Sequence, residues 1–199
     1  MDILFQILSI FFSYFIGAIP FGLLLGKAFL GVDVRTLGSG NIGATNVLRA
    51  GGKGAAILTL LADCLKGVLP VLAVRYVFQA EYITVAAGAA AIIGHNFPIY
   101  IGFKGGKGVA TSFGVVLAVS PLIGLLCLLT WLVAALLWRY SSLAALCAFA
   151  LYPVLTFALH TGNTALGGLS LFVAAMIYVR HRENIKRLIA GTETKIGKK

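Results

Sequence analysis

The chain has 199 residues, of which 60% are hydrophobic and only 11% are charged, and its mean hydropathy is +0.99. A water-soluble fold could not bury so much apolar surface, so the composition excludes the soluble classes and predicts one all-α, polytopic integral membrane domain over residues 1–199. The formal net charge is +10. Because the basic residues lie in short segments between apolar runs, this charge indicates membrane topology and no nucleic-acid partner.

Seven apolar segments are predicted to be transmembrane helices. Residues 102–138 would extend about 55 Å as one helix, against about 30 Å for the apolar layer of a bilayer, so we divide them at Ser120-Pro121. The first segment lacks a basic start and is longer than a signal-peptide core, so it is expected to be retained. In chain order the helices are residues 3–25, 54–74, 82–101, a fourth that begins within 102–108 and ends at Ser120, 121–138, 141–160 and 164–179.

The basic residues indicate how the helices are oriented in the membrane. If the N-terminus is outside and the C-terminus cytoplasmic, only Arg75 among the 16 lysines and arginines faces outwards, and only Lys66 lies within a helix. This distribution follows the positive-inside rule, whereas six helices would place Arg139 and the basic tail outside. Three polar motifs follow the first, third and seventh helices, and they are therefore expected to face the cytoplasm together.

Two charges lie inside the second predicted helix. Asp63 and Lys66 share one helical face at i, i+3. Because isolated charges are costly in lipid, they either neutralise each other or contact a substrate. Neither a metal nor a cofactor is predicted, since the cysteines lie in apolar segments without metal-ligand spacing and are interpreted as small core residues; they are Cys64, Cys127 and Cys147.

The first motif runs from Gly38 to Arg49 and combines glycines with polar side chains. Glycines let backbone N–H groups approach an anion closely, and a guanidinium can direct two donors at a phosphate. The glycines also match GxGxxG, but a dinucleotide site requires a βαβ unit, and this segment lies between two membrane helices. A flexible connector is the alternative interpretation. The predicted anion-binding residues are Gly38, Ser39, Gly40, Asn41, Gly43, Thr45, Asn46 and Arg49.

The second motif is another glycine- and lysine-rich segment, which leads into the fourth helix. Its glycines would present free N–H groups at a helix N-terminus, with lysines as point charges for a phosphate. It is not a Walker A loop, because glycine follows Gly106-Lys107 where serine or threonine is required. Lys104 is interpreted either as a ligand or as a topological anchor. The predicted binding residues are His95, Asn96, Lys104, Gly105, Gly106, Lys107 and Gly108.

The third motif follows the last helix. If this segment is helical, His181 and Asn184 share a face at i, i+3 and Glu183 points elsewhere. We expect catalysis or substrate binding here, the alternative being an interfacial histidine, and we expect His160 to be structural on the outer side. Ser39 has no local His-Asp pair, so it is expected to bind phosphate and not to act as a nucleophile.

Together the three motifs resemble the acyl-phosphate:glycerol-3-phosphate acyltransferase family of bacteria (PlsY), over nearly the whole chain. The resemblance implies transfer of a fatty acyl group from acyl-phosphate to the sn-1 hydroxyl of glycerol 3-phosphate, the first step of phospholipid synthesis. It also implies an enzyme of the bacterial cytoplasmic (inner) membrane with its active site on the cytoplasmic face. The family's catalytic residues would be Ser39, Arg49, Lys107, His181 and Asn184.

The chemistry of these substrates suggests direct attack of the hydroxyl on the acyl carbonyl, without an acyl-enzyme. Phosphate is a good leaving group, so positioning and charge stabilisation could suffice. Two alternatives remain open at this level: an acyltransferase that uses acyl-CoA or acyl carrier protein, and a transporter of a phosphorylated solute, for which the charges within the second helix would line the path. A monomer in the lipid bilayer is expected.

Overall fold

A computed structural model describes residues 3–197 of the chain, which are predominantly helical. Two short 3₁₀ helices, Val34–Thr36 and Ile99–Ile101, lie in the connections. The chain forms two compact units, the first ending at Val115 and the second beginning at Val116. The α-helices are α1 Ile3–Ala18, α2 Phe21–Leu30, α3 Ala44–Arg49, α4 Lys53–Phe78, α5 Glu81–Asn96, α6 Val109–Val119, α7 Pro121–Trp138, α8 Ser141–Leu159, α9 Thr164–Arg180 and α10 Arg182–Ile189.

The first predicted helix is interrupted. The chain leaves helical geometry at Ile19-Pro20 and resumes as α2, which continues to Leu30 and not to residue 25 as predicted. Pro20 has no N–H to donate, and a Cβ atom at Gly22 would overlap the carbonyl of Ile42, so the backbone passes close to the first loop here. The break therefore brings α2 and the loop that follows it together.

Small residues let the helices of the first unit pack closely. Gly17 of α1 lies against the backbone of Ala91 in α5, and one turn along the same contact Gly94 lies against the backbone of Tyr14. A side chain at either glycine would overlap the other helix, so α1 and α5 approach through backbone contacts. Gly67 of α4 faces α6 in the same manner. This packing fixes the end of α5, where the second motif begins.

The second unit is built from α7, α8 and α9 with α10 at their end. Its core includes Phe149, Tyr152 and Val173, each 1% exposed or less. At one end Ser120 Oγ and His160 Nε2 lie 3.1 Å apart, which joins the α6–α7 turn to the end of α8. The structural role predicted for His160 is in keeping with this contact.

Apolar side chains cover much of the outer surface of the helices; Leu136 is 78% exposed and Ile3 is 74% exposed. Among the described residues, five helical segments are long and apolar enough to cross a membrane, and α9 with α10, which bend by 61°, form a possible sixth. α6 has 11 residues, about 17 Å, and is too short to cross alone. The break at Ser120-Pro121 is confirmed, whereas the predicted count of seven crossings is not.

Candidate active site

The first loop is organised around Asn46, which is only 2% exposed. Its Nδ2 donates to the carbonyls of Val34 at 2.7 Å and Leu37 at 3.1 Å. Its Oδ1 accepts from the backbone N–H of Ser39 at 2.8 Å and lies 3.2 Å from Ser39 Oγ. Sequence analysis grouped Asn46 with the substrate ligands, but the structure uses its whole carboxamide within the loop. Asn46 therefore sets the position of Ser39.

Arg49 is close to the same loop segment. A Cβ atom added at Gly38 would lie 2.5 Å from Asn46 Oδ1 and 3.7 Å from Arg49 Cβ. Gly38 has φ +55°, a conformation that glycine adopts without strain, and this lets the loop turn over α3. Both Ser39 and Arg49 are exposed, Ser39 on the loop and Arg49 at the end of α3.

Two further side chains shape the loop. Asn41 Oδ1 accepts a hydrogen bond from Gly43 N–H at 2.8 Å, a local turn that leads into α3. Asp33 caps the preceding 3₁₀ helix and forms an ion pair with Arg35 at 2.6 Å. The hydrogen bonds from Arg35 lower the pKa of Asp33 to about 2. Thr45, another predicted ligand, is exposed on α3.

The second loop folds back over the end of α5. The N–H of Gly106 donates to the carbonyl of His95 at 3.0 Å. A Cβ atom at Gly105 would overlap the same carbonyl, and one at Gly106 would overlap His95 Nε2. The prediction that the loop glycines present free N–H groups to an anion is therefore wrong for Gly106, because its N–H is bound to α5. These glycines allow close packing of the loop on His95.

Asn96 packs against the end of the same loop. It is 0% exposed, and its Oδ1 would lie 2.7 Å from a Cβ atom at Gly108, which has φ +81°. α6 begins directly after Gly108 and not within the loop as predicted. Lys104 is exposed and Lys107 half-buried. The loop thus places both lysines before the N-terminus of α6, where an anion is favoured.

The two charges of α4 form an ion pair. Lys66 Nζ lies 2.7 Å from Asp63 Oδ1, and both residues are 2% exposed. Lys66 also donates to the carbonyl of Ile19 at 2.8 Å, at the break between α1 and α2. The first of the two interpretations from the sequence, mutual neutralisation, describes this arrangement.

His181 lies at the 61° bend between α9 and α10 and is 3% exposed. Its Nδ1 is 2.8 Å from the carbonyl of Ile177. A carbonyl can only accept, so Nδ1 carries the proton in this hydrogen bond, and in the neutral ring the lone pair is on Nε2. This hydrogen bond thus fixes the ring orientation and the tautomer of His181.

Asn184 belongs to a hydrogen-bond cluster centred on Glu193. Glu193 Oε1 accepts from Asn184 Nδ2 and Ser142 Oγ, each at 2.7 Å, and Oε2 accepts from Arg187 Nε at 2.7 Å. Burial raises the pKa of this carboxyl, but the three hydrogen bonds together hold it below its ordinary value. Glu183 instead points outwards and is 59% exposed, as predicted.

Sequence reasoning missed Glu193 and Ser142. The signal in the sequence was one of only two carboxylates in the basic tail, in a chain with only six acidic residues. Between residues 3 and 197 no group of three or more potential metal-binding side chains occurs. The first unit thus supplies candidate donors and basic side chains, and the second unit supplies one oriented histidine.

Known proteins are similar to this chain in sequence and in fold. Residues 7–191 match the model of the family described as glycerol-3-phosphate acyltransferase. A glycerol-3-phosphate acyltransferase of Methylorubrum populi is 55% identical over 97% of this chain and 94% of its own. One of Mesorhizobium japonicum is 49% identical, with 97% of each chain covered.

Two crystal structures of PlsY, an integral membrane glycerol 3-phosphate acyltransferase, share the fold. The glycerol 3-phosphate form has a TM-score of 0.92 and 41% identity, covering 96% of each chain. The lysophosphatidic acid form has a TM-score of 0.89 and 40% identity, covering 96% of this chain and 95% of its own. At such similarity the helical membrane architecture is common to both proteins.

Proposed function

This chain belongs to the glycerol-3-phosphate acyltransferase family of integral membrane proteins, and we propose that it transfers a fatty acyl group from acyl-phosphate to the sn-1 hydroxyl of glycerol 3-phosphate. The products are lysophosphatidic acid and inorganic phosphate. The observation that carries the proposal is the first loop, in which Asn46 holds Ser39 and Gly38 lies next to Arg49, an arrangement that suits an anion. Solved forms of a relative with glycerol 3-phosphate and with lysophosphatidic acid support the same substrate and product.

The choice of acyl-phosphate as donor rests on the chemical groups that the candidate site contains. Acyl-phosphate is a mixed anhydride with phosphate as leaving group, so it needs little activation. Ser39 Oγ lies 3.2 Å from the amide oxygen of Asn46, which is not basic enough to deprotonate a serine nucleophile. This contact favours a role for Ser39 in phosphate binding and a transfer without an acyl-enzyme.

In the proposed reaction the sn-1 oxygen attacks the acyl carbon and forms an ester, and the bond from the acyl carbon to the phosphate oxygen breaks. The hydroxyl proton goes to His181 Nε2 or to the phosphate of the substrate itself. Lys107 and the second loop bind one phosphate, and Arg49 with Ser39 binds the other. His181 and Asn184 orient the hydroxyl, with the ring fixed by its hydrogen bond to Ile177.

We propose seven membrane crossings in the bacterial cytoplasmic membrane, with the N-terminus outside, the C-terminus and the three motifs cytoplasmic, and a monomeric enzyme. α6 is about 17 Å long, but residues 104–108 before it are not helical. These residues pack on the end of α5, so we propose that the fourth crossing is a short helix completed by loop backbone buried in protein, which is tolerated at membrane depth. The second loop would then lie below the membrane surface, near a lipid-borne acyl chain.

The test is acyl transfer by the purified protein in lipid, with labelled glycerol 3-phosphate and either palmitoyl-phosphate or palmitoyl-CoA. We expect lysophosphatidic acid from palmitoyl-phosphate alone. Lys107→Ala and His181→Ala should each lower kcat/KM by roughly 100-fold or more. Lys53→Ala is the matched control for the lysine, because Lys53 is exposed at the start of α4 and should keep its activity within about twofold.

Other outcomes would contradict parts of the proposal. Product from palmitoyl-CoA would replace the donor, and an acyl group trapped on Ser39 in single-turnover mass spectrometry would contradict direct attack. If neither donor gives product with folded protein, flux of labelled glycerol 3-phosphate into proteoliposomes would support a transporter. The structure weakens that alternative, because the α4 charges that suggested a permeation path are paired with each other.

A further inference from the structure

Three ionisable side chains are buried together in the first unit, and the proposed reaction gives none of them a role. Asp63, Lys66 and His95 are each 3% exposed or less. Asp63 Oδ1 lies 2.7 Å from Lys66 Nζ and 3.7 Å from His95 Nδ1. One carboxylate oxygen therefore faces both a lysine of its own helix and a histidine at the end of α5.

The lysine has a structural partner of its own. Its Nζ donates to the carbonyl of Ile19 at 2.8 Å and lies 5.7 Å from the centre of the Phe21 ring. The carbonyl belongs to the break before Pro20, where helical hydrogen bonding is interrupted, and buried backbone groups at membrane depth need a partner. Lys66 thus stabilises the α1–α2 break, and Asp63 neutralises the charge of Lys66.

Neutralisation alone does not explain the position of the histidine. A buried ion pair is often no more stabilising than apolar residues of the same shape, so stability is a weak reason for the pair. His95 instead lies between Asp63 and the second loop. Its Nδ1 faces the carboxylate, its Nε2 occupies the place of a side chain at Gly106, and its carbonyl accepts from Gly106 N–H at 3.0 Å.

We propose that Asp63 is a positioning residue for the second loop. The carboxylate fixes the orientation of the His95 ring, and the ring with its own carbonyl holds the backbone of Gly106. Lys107 follows directly, so the orientation of His95 determines where the lysine presents its charge. This inference rests on the proposed function, in which the second loop binds the phosphate of a substrate.

Two double variants separate positioning from neutralisation. Asp63→Asn/Lys66→Met and Asp63→Leu/Lys66→Met both remove the two charges together, so neither leaves an unpaired ion in the core. Only the asparagine keeps a polar oxygen that can face Nδ1 of His95. Thr59→Val is the matched control, because Thr59 is buried one turn earlier in α4 and donates at 2.7 Å to Ala55 of its own helix.

The experiment measures kcat and both KM values, for glycerol 3-phosphate and for palmitoyl-phosphate, with thermal unfolding in detergent as the fold control. The leucine variant should raise the KM of one phosphorylated substrate on the order of 10- to 100-fold and leave the other within about twofold. The asparagine variant should stay within about threefold of wild type, and the Thr59→Val variant within about twofold.

Equal kinetics in the two double variants would overturn the proposal, whether both are impaired or both resemble wild type. An equal rise of both KM values, or a fall in kcat alone, would also overturn it, since neither is a selective effect on one phosphate. If wild-type protein forms no lysophosphatidic acid at all, the proposed function fails instead. The two failures are therefore distinguishable.

Discussion

Asn184 donates a hydrogen bond from Nδ2 to Oε1 of Glu193 across 2.7 Å, so a carboxylate in the C-terminal tail fixes the orientation of the amide in the third motif. Ser142 and Arg187 donate to the same carboxylate. The tail thereby connects the start of α8 to α10 and holds the element that bears Asn184.

Glu193→Gln should impair both stability and activity. The neutral side chain accepts more weakly from Arg187, and its NH₂ group cannot accept from Asn184 or Ser142. We expect a loss of about 2 kcal/mol in the free energy of unfolding and a fall in kcat/KM on the order of 10- to 100-fold. Chemical denaturation and the acyl-transfer assay measure the two effects.

Glu183→Gln is the control for that variant. Glu183 is 59% exposed and contacts only side chains of α10 in its ion pairs with Arg182 and Lys186. Exposed pairs contribute little, so its loss should change the free energy of unfolding by less than about 0.5 kcal/mol. A similar loss in both variants would contradict the special role of Glu193.

The stability that Glu193 supplies should depend on pH. Its pKa in the folded protein lies below the ordinary glutamate value, because the hydrogen bonds to its charged form outweigh burial. The unfolded chain therefore binds the proton first, and the contribution is present above about pH 5 and is lost as the pH falls below the ordinary pKa of about 4.3. Unfolding of wild type and Glu193→Gln between pH 3 and pH 7 should show the difference shrinking at the acidic end. A difference that grows on acidification would contradict this sign.

The sequence predicted helices well where long apolar segments specify them, but not where tertiary contacts decide. Pro20 interrupts a helix, whereas α4 and α8 continue through Pro70 and Pro153. Pro20 differs in that a residue distant in the chain stabilises the break, because Lys66 donates a hydrogen bond to the carbonyl of Ile19. Proline alone could not show which of these three sites would break.

In the candidate site, too, the sequence indicated some residues and only the fold revealed others. The motifs allowed Ser39, Arg49 and Lys107 to be predicted from their residue types. Anion-binding loops combine glycines with polar and basic residues within a short stretch of sequence. The contacts that position them are distant in the chain: Ser142 and Glu193 are 51 residues apart. No periodicity or spacing could indicate such a pair, so the supporting residues emerged only from the fold.

Asn46→Asp should disrupt the first loop. The carboxylate could still accept from Ser39 N–H, but its second oxygen would face the carbonyls of Val34 and Leu37, to which the amide nitrogen now donates. A buried charge against two acceptors should cost roughly 2–4 kcal/mol in the free energy of unfolding. Asn41→Asp is the control, because Asn41 uses only an oxygen, toward Gly43 N–H, and should stay within about 0.5 kcal/mol. Equal losses would contradict the role given to the Asn46 nitrogen.

Gly106→Ala should displace the second loop from α5. The added methyl group would overlap His95 Nε2, which cannot move freely because His95 is buried beside Asp63. We expect the KM of one phosphorylated substrate to rise roughly tenfold or more, since Lys107 moves with the loop. Gly54→Ala is the matched control: apart from its chain neighbours and the backbone of its own helix, no atom lies within 4 Å of its added Cβ, and alanine favours the first turn of α4 by about 0.5–1 kcal/mol. If Gly106→Ala in a His95→Ala background has no further effect on that KM, the overlap with the ring is its cause, and an undiminished effect there would exclude it.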